Sequence, residues 1–212
     1  GDVAGSGTLT VTGALDFIAR AMDGTGVTNA NGGTTISTAS DKFLGTGRTL
    51  NFNSDTSWTG GKIRFWGGTI NNTAGKTFTN TFDGAMQLDT GTNAFNNAGI
   101  FTKSGGTGTT TIAIPINNTG MINANSGTLS FTSSYTQTAG ALVLDGGQVT
   151  GGTLAVRGGK LQGRGTITGG VSSTGGTVII EPGIGTTPGT LVITSDLTLT
   201  NSSKLSFDIG GI

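Results

Sequence analysis

The stretch FNNAGIF, residues 95–101, returns 21 positions later as INNTGMI at residues 116–122. A looser copy, INNTAG at residues 70–75, precedes the first by 25 positions. A second phrase, Gly-Thr-Leu followed by any residue and then an apolar one, occurs at residues 7–11, 127–131, 152–156 and 189–193. Phrases that recur every 20 residues or so are typical of a solenoid, in which each copy forms one coil.

Within the repeats the apolar residues recur with period two. Leu9 and Val11 alternate with threonines, and so do Leu197 and Leu199. This alternation indicates short strands with one apolar face, which stacked coils can bury. We therefore predict an all-β protein, a single-stranded parallel β-helix (β-solenoid) of about nine or ten coils of roughly 20–25 residues. At a coil spacing of about 4.8 Å the rod is near 45 Å long.

The solenoid is expected to include the whole chain. Residues 14–24, ALDFIARAMDG, are the least β-like run, and a short helix is the alternative there. We predict strand, because Leu15 and Phe17 alternate with Asp16 and Ile18. Since no composition shift divides the sequence, residues 1–212 are predicted to form one domain. The absence of an initiator methionine at Gly1 suggests a fragment of a longer repetitive chain.

The paired asparagines of the repeated phrase are predicted to lie at corners of the coil. Glycine and asparagine accept positive φ, and an asparagine can cap its own turn or form a ladder with its copy one coil away. The corner asparagines of this interpretation are Asn71, Asn72, Asn96, Asn97, Asn117 and Asn118.

Composition excludes several classes of function. The 11 basic and 11 acidic residues cancel, so no electrostatic footprint for nucleic acid is present. No window approaches the roughly 20 apolar residues of a membrane helix, so we expect no membrane insertion within this segment. The 41 glycines follow no collagen period, and the absence of cysteine fits an exported bacterial protein.

Residues 181–211, EPGIGTTPGTLVITSDLTLTNSSKLSFDIGG, resemble the last passenger coils of autotransporters. The runs WTGGKIRFWGGTINN and FNNAGIFTKSGG are similar to repeats of large bacterial outer-surface proteins with haemagglutinin-like β-helices. The resemblance implies an extracellular or cell-surface location and a role as adhesin, stalk or passenger. Its implied partners are neighbouring repeats or copies of the chain itself in end-to-end assembly, together with a glycan or a host or cell-surface protein.

Catalysis is not predicted. Polysaccharide lyases and hydrolases with this fold use clustered carboxylates, but the chain has no histidine and one glutamate, Glu181. Asp83 and Asp89 form one candidate carboxylate pair. A second candidate group, on neighbouring coils, comprises Asp145, Arg157, Lys160 and Arg164. We interpret both groups as solvated outward residues and predict no enzyme and no cofactor. Because calcium-loop motifs are missing, we also predict no metal.

The run GGKIRFWGG, residues 60–68, carries the one candidate binding patch. Alternation places Ile63 and Phe65 on one face and the cations and tryptophan on the other. The predicted exposed patch consists of Trp58, Lys62, Arg64 and Trp66. Such a patch suits a sugar platform or a protein contact, although packing of Trp66 under a loop or a neighbouring domain is the favoured alternative. The phenylalanines predicted to stack in the interior are Phe78, Phe82, Phe95, Phe101 and Phe131.

Threonines in Thr-x-Thr pairs suggest a further possibility, an ice- or crystal-surface-binding face. The pairs are Thr8/Thr10, Thr77/Thr79, Thr109/Thr111, Thr166/Thr168 and Thr198/Thr200. Their spacing is uneven, and threonine also favours exposed strand positions in general.

The leading prediction is a structural or adhesive rod without chemistry of its own: a stalk, an adhesin segment or a self-assembling fibre. A carbohydrate-binding or polysaccharide-degrading β-helix and the ice-binding solenoid remain the alternatives.

Overall fold

The computed structural model describes residues 1–207 and confirms the parallel β-solenoid. Twenty-nine strands are present in that range, numbered here in chain order, and no helix. Successive strands turn through three faces, and each strand up to β20 pairs in parallel with the strand three places later, so about nine coils stack into a rod. Among the described residues no helix is long and apolar enough to cross a membrane.

Faces I, II and III are each built from one strand per coil. Face I contains β1 Thr8–Val11, β4 Val27–Ala30, β7 Thr49–Phe52, β10 Thr69–Asn72, β13 Ala94–Asn97, β16 Ile116–Asn118, β19 Tyr135–Gln137, β22 Leu154–Val156, β24 Val171–Ser172 and β28 Leu197–Thr198. Face II contains β2 Leu15–Phe17, β5 Thr34–Ile36, β8 Thr56–Trp58, β11 Thr77–Asn80, β14 Ile100–Lys103, β17 Met121–Ala124, β20 Ala141–Asp145, the first part of β23 Gly159–Thr168, β25 Val178–Ile184 and β29 Lys204–Leu205. Face III contains β3 Arg20–Met22, β6 Lys42–Gly45, β9 Ile63–Trp66, β12 Ala85–Thr90, β15 Thr109–Ile112, β18 Thr128–Phe131, β21 Gln148–Gly151, the second part of β23 and β27 Leu191–Ile193. The short β26 Thr187–Pro188 is antiparallel to the end of β25.

Coil length varies more than the sequence phrases predict. Only 17 residues separate Leu154 from its partner Val171, whereas 26 separate Val171 from Leu197. The long coil contains the β25–β26 hairpin, which projects as an insertion. Insertions at corners leave the stacked strands in register, because only the strands pair with the next coil.

The register explains one of the two repeated phrases and not the other. Asn96 pairs with Asn117 on face I, and Asn71 pairs with Asn96, so every asparagine phrase occupies the same face. The Gly-Thr-Leu phrase lies on face I in β1 and β22 but on face III in β18 and β27. That phrase therefore marks the start of a strand rather than a fixed position in the coil.

The core is a column of inward side chains. Four of the five phenylalanines predicted inside, Phe78, Phe95, Phe101 and Phe131, are fully buried, and Phe82 is only half-buried. Phe78 lies 5.1 to 5.9 Å from its three phenylalanine neighbours, centroid to centroid, in edge-on arrangements. Each such pair contributes about 0.5–1.5 kcal/mol beyond the burial of its area.

The corner between faces I and II requires glycine. Gly99, Gly120, Gly140 and Gly159 occupy it on successive coils, and the backbone there is so close that a Cβ on Gly140 would overlap the carbonyl oxygen of Gly120. Gly140 also has φ of 66°, a left-handed conformation that other residues rarely adopt. In the repeated phrase itself, Gly99 and Gly120 are explained by close approach alone, because neither has positive φ but a Cβ on either would overlap a backbone carbonyl oxygen.

Both ends of the chain are strand as far as it is described. Residues 14–24 form β2 and β3 on two faces, which confirms the prediction of strand. At the other end, Leu197, Leu205 and Phe207 are exposed by 38%, 42% and 65%. The resemblance to passenger coils extends to residue 211 and therefore lies partly outside the described residues.

Candidate functional site

Face III carries a group of aromatic and charged side chains on three neighbouring strands, β6, β9 and β12. Within β9, Ile63 and Phe65 are buried while Arg64 and Trp66 point outward, as the alternation predicts. Pairing between coils brings the outward residues of β6 and β12 to either side of Arg64. We call the resulting group the Trp66 cluster: Phe43, Lys62, Arg64, Trp66, Gln87 and Asp89.

A bidentate ion pair lies at the centre of the Trp66 cluster. The Nε and Nη2 atoms of Arg64 donate to the two carboxylate oxygens of Asp89, each at 2.9 Å. A third guanidinium nitrogen, Nη1, lies 3.4 Å from Asp41 Oδ2, and the guanidinium carbon lies 5.3 Å from the centre of the Phe43 ring. Arg64 therefore ties together side chains from three coils, which a lysine could not do with its single nitrogen.

Trp66 is held in place by the same carboxylate. Its Nε1 donates to Asp89 Oδ2 at 2.7 Å, and its ring lies 4.7 Å from the ring of Phe43. Although its polar atom is bonded within the protein, 39% of the residue remains exposed. The outcome is a rigid indole with an accessible surface, which is typical of a binding platform rather than of a core residue. The indole does not pack under a loop of the described chain, which was the favoured alternative.

A β-bulge lies at Asp89. Leu88 pairs with Phe65 and Thr90 pairs with Trp66, so Asp89 is the extra residue between them. The bulge also turns Leu88 outward, where it is 46% exposed. Bulges often redirect a side chain in this way, and they are common at functional sites.

Arg64 and Asp89 form a charged pair at neutral pH. Hydrogen bonds from Arg64 hold the pKa of Asp89 below its usual value, and those same bonds raise the pKa of Arg64. Gln87 Nε2 adds a hydrogen bond to Asp89 at 3.0 Å, and Lys62 Nζ donates to Gln87 Oε1 at 3.2 Å. Asp89 thus remains an ionised acceptor and is unsuited to donate a proton in general acid catalysis.

One groove lies beside the aromatic rings. We call it the Arg20 groove; its volume is about 310 Å³, and it is lined by Asp2, Ala4, Arg20, Ala21, Asp23, Phe43 and Trp66. Arg20 has φ of 74°, and Thr46, whose hydroxyl donates to Asp23 Oδ1, has φ of 50°. Non-glycine residues with positive φ are uncommon and are often found at functional sites. Two of the three such residues in the described chain therefore belong to this groove or support it.

A larger groove lies at the corner between faces II and III. Its volume is about 620 Å³, and it is lined by Thr38, Ala39, Asp41, Thr59, Gly60, Gly61, Lys62, Phe82, Asp83, Gly84 and Ala85. Thr38, with φ of 68°, is the third residue with positive φ. Lys62 of the Trp66 cluster and Asp41, which accepts from Arg64, line this corner groove, whereas Phe43 and Trp66 line the Arg20 groove, so both grooves border the cluster.

Cations occupy the interior at two corners of face III. The ammonium of buried Lys42 donates to the carbonyl oxygens of Thr38, Ser40 and Gly60 at 2.7 to 3.0 Å. Burial lowers the pKa of Lys42. The guanidinium of buried Arg48 donates to the hydroxyl of Thr28 at 2.7 Å. These cations satisfy corner carbonyls that point inward, so their role is structural.

The prediction for Trp58 is wrong. Trp58 ends β8 and is fully buried, with Nε1 donating to the carbonyl oxygen of Gly61 at 2.9 Å. It packs edge-on against Phe82 at 5.2 Å. Lys62, Arg64 and Trp66 do lie together on the surface, and Phe43 supplies the second aromatic ring in place of Trp58.

The corner positions predicted for the asparagines are also wrong. All six lie within strands of face I and have negative φ. Since side chains alternate along a strand, one asparagine of each pair points outward and the next points inward. The outward column is Asn71, Asn96 and Asn117, preceded on earlier coils by Asn29 and Asn51. The inward column is Asn72, Asn97 and Asn118, followed by Gln137.

Both asparagine columns form hydrogen-bonded ladders, which confirms that part of the interpretation. In the outer ladder each Nδ2 donates back to the Oδ1 of the preceding coil, as from Asn117 to Asn96 at 2.8 Å. In the inner ladder the donation runs forward, from Asn72 to Asn97 and from Asn97 to Asn118, each at 2.8 Å. The side-chain dipoles of the two ladders therefore oppose each other.

The other candidate carboxylates are also bonded within the protein. Asp83 accepts from the buried ammonium of Lys103 at 2.8 Å and does not contact Asp89. The hydrogen bond from Lys103 lowers the pKa of Asp83. In the second candidate group, Arg164 Nε donates to Asp145 at 2.9 Å, whereas Lys160 pairs with Glu181 instead. In residues 1–207 no three acidic side chains come together to form a candidate metal site.

Two members of the site, Phe43 and Gln87, are absent from the prediction, and Asp89 was named there only as half of a carboxylate pair with Asp83. Phe43 and Gln87 could be found only by aligning coils of unequal length, and Asp89 is displaced by a bulge that no local motif announces. No family model matches this chain, and comparison with curated proteins and with solved structures gave no match.

Proposed function

We propose that this chain is a structural and adhesive rod, part of a surface or secreted bacterial protein, that presents the Trp66 cluster on its side. The observation that carries this proposal is the continuity of the parallel pairing on all three faces. Each coil satisfies the backbone of its neighbours, so open strand edges occur only at the two ends of the stack. A rod of that kind is stiff and about 45 Å long, which suits a spacer.

The end of the stack supports assembly by addition of coils. Leu197, Leu205 and Phe207 expose apolar surface in the last described coils, where another coil would cover them. Either a continuing chain or a second copy of the rod provides such a coil. Negative-stain electron microscopy over a concentration series distinguishes these cases. We expect short rods at low concentration that join end to end as the concentration rises; compact particles of any other shape would contradict the rod.

The side of the rod supports adhesion. Trp66 and Phe43 offer an aromatic surface that is exposed but already rigid, so binding there costs little conformational entropy. The test is attachment of the purified chain to bacterial and host cells. Trp66→Ala should reduce attachment, whereas Val192→Ala, an exposed apolar residue of β27 on the same face, should not. Equal attachment of both variants would contradict an adhesive role for the cluster.

The alternatives receive less support. The Thr-x-Thr pairs are distributed over all three faces, and Thr110, between Thr109 and Thr111, is buried. A flat threonine face of the type that ice binding needs is therefore not formed by those pairs. For glycoside hydrolysis one carboxyl group must be protonated, whereas Asp83 and Asp89 have lowered pKa values. Binding of a carbohydrate without hydrolysis is compatible with the site.

A further inference from the structure

We propose that the Arg20 groove binds an uncharged pyranose unit of a glycan, which stacks on Trp66 and Phe43 and donates hydroxyl hydrogen bonds to Asp23 and Asp2. This inference rests on the proposed adhesive function and names the class of ligand. Both aromatic rings and both carboxylates line the groove. Aromatic surface beside a few polar groups is the usual composition of a small-ligand site.

The aromatic wall matches the apolar side of a sugar ring. A pyranose presents axial C–H groups on one side and hydroxyls around its rim, so it needs a flat ring below and hydrogen-bond partners at the edge. Trp66 supplies the flat ring, and its N–H is bonded to Asp89 rather than directed at a ligand. The indole is therefore fixed in orientation before any ligand arrives, which favours binding.

The carboxylates provide acceptors for hydroxyl groups. Asp23 Oδ1 accepts from the amide of Gly24 at 2.8 Å and from the hydroxyl of Thr46. The other oxygen, Oδ2, accepts no hydrogen bond from any residue in the range 1–207. Asp2 is arranged similarly, since its Oδ1 accepts from the amide of Ala21 at 3.0 Å. Each carboxylate is thus anchored through one oxygen and can accept from a ligand through the other.

Asp23 stays ionised at neutral pH. The hydrogen bond from Thr46 lowers the pKa of Asp23, with a further contribution from the amide of Gly24. Hydrogen bonds to an ionised acceptor are about twice as strong as those between neutral groups. The charge of the groove also selects the ligand: with Asp2 and Asp23 against the single cation Arg20, an acidic sugar would be repelled overall.

Arg20 contributes donors at the edge of the groove. Its side chain is exposed, and its backbone has φ of 74°, which costs energy for a residue with a Cβ. Arginine presents five N–H donors and can bridge neighbouring hydroxyl oxygens of a sugar. Arg20 lines the groove together with Trp66 and Asp23, so these donors border the proposed ligand site.

The experiment uses the two tryptophans as internal probe and control. In a ¹⁵N-labelled sample the Trp66 and Trp58 indole N–H signals are recorded during titration with cellopentaose, mannopentaose and galactopentaose, and with oligogalacturonate as the acidic comparison. We expect at least one neutral oligosaccharide to shift the Trp66 signal with a Kd of about 1 mM, while buried Trp58 stays unchanged.

Two variants make the result specific to the groove. Asp23→Asn should weaken binding of the neutral oligosaccharide about tenfold, because charge-assisted hydrogen bonds are lost. Asp196→Asn, the same substitution at an exposed position on another coil, should leave the affinity unchanged. Binding that is insensitive to Asp23→Asn, binding of oligogalacturonate alone, or no binding of any neutral oligosaccharide at about 10 mM would each overturn the proposal. In the last case, continued loss of cell attachment in Trp66→Ala would leave the adhesive rod standing.

Discussion

Replacing Asn97 with alanine tests whether the inner ladder stabilises the rod, and Asn96→Ala is its matched control. The two residues are adjacent in β13, and both belong to asparagine ladders. They differ in burial, because Asn97 points into the core and Asn96 faces solvent. Since the two changes affect the same coil and the same strand, differences in repeat cooperativity cancel.

The magnitude follows from the hydrogen bonds that Asn97 makes. Its Nδ2 donates to Asn118 Oδ1 at 2.8 Å and to the carbonyl oxygen of Met121 at 2.9 Å, and its Oδ1 accepts from Asn72 at 2.8 Å. Truncation leaves buried polar groups without these partners, at about 1–3 kcal/mol each. We expect Asn97→Ala to lower the free energy of unfolding by about 3–5 kcal/mol. For half-exposed Asn96, where water replaces the amide, we expect a loss of less than about 1 kcal/mol.

Urea unfolding followed by far-ultraviolet circular dichroism measures both losses. Asn97→Leu keeps the volume of the side chain but removes its hydrogen bonds, so it should be nearly as destabilised as Asn97→Ala. Equal losses for Asn96→Ala and Asn97→Ala would refute the reasoning. A stable Asn97→Leu variant would show instead that the loss in alanine came from the cavity.

Three further outcomes are expected. Gly140→Ala should lower the urea midpoint strongly, because the new Cβ would overlap backbone and the residue has positive φ. Gly152→Ala should leave the midpoint unchanged, because its Cβ would meet no atom within 4 Å. Equal midpoints of the two variants would contradict the close packing of the corner. Because the pKa values of Asp83 and Asp89 are lowered, the ionised carboxylates stabilise the fold at pH values above 3.8, the usual aspartate pKa. The urea midpoint should therefore fall as the pH drops below that value, and it should fall less in Asp83→Asn. A urea midpoint that is constant between neutral pH and acid would argue against both ion pairs. Burial lowers the pKa of Lys42, so the unfolded chain binds the proton of this ammonium more tightly than the folded chain does. The stability of the protein should therefore rise with pH towards 10.5 relative to that of Lys42→Met. Parallel profiles of stability against pH for the two proteins would disprove the burial of a charged lysine.

The fold could be predicted because its signal is repeated. The coils repeat the same alternation, and three of them carry the asparagine phrase, so errors in one coil are corrected by the others. The register of Asn96 with Asn117 follows directly from the 21-residue offset. The inward direction of Asn97 could also have been found from the sequence. Phe95 is apolar and inward, so a period of two places Asn97 on the same side. The expectation that paired asparagines mark a turn overrode this alternation.

The site was less predictable because it depends on contacts between coils. The pairing of Phe43 with Arg64, and the bulge that inserts Asp89, appear only when strands from coils of unequal length are aligned. Lys42 shows a second limit. Alternation with Leu44 places it inside, but a lysine there is plausible only once three carbonyl oxygens are seen to surround its ammonium.

The ladders and the Trp66 cluster are connected through register. The cluster combines Phe43, Arg64 and Asp89 from three successive coils, so a slip of one residue between coils would turn one of them inward. Apolar core columns oppose a slip of one residue, which would turn them outward, but they oppose a slip of two residues only weakly, because one inward apolar side chain then replaces another. An amide ladder opposes such a slip strongly, because each amide must meet another amide on the neighbouring coil. Where it does not, a polar atom loses its partner: Asn72 lies next to Phe52 at the start of the inner ladder, and its Oδ1 accepts no hydrogen bond in the described chain. The outer ladder runs through the same coils on face I, from Asn29 to Asn117. The polar columns thus hold the coils in the one register in which the Trp66 cluster of face III exists.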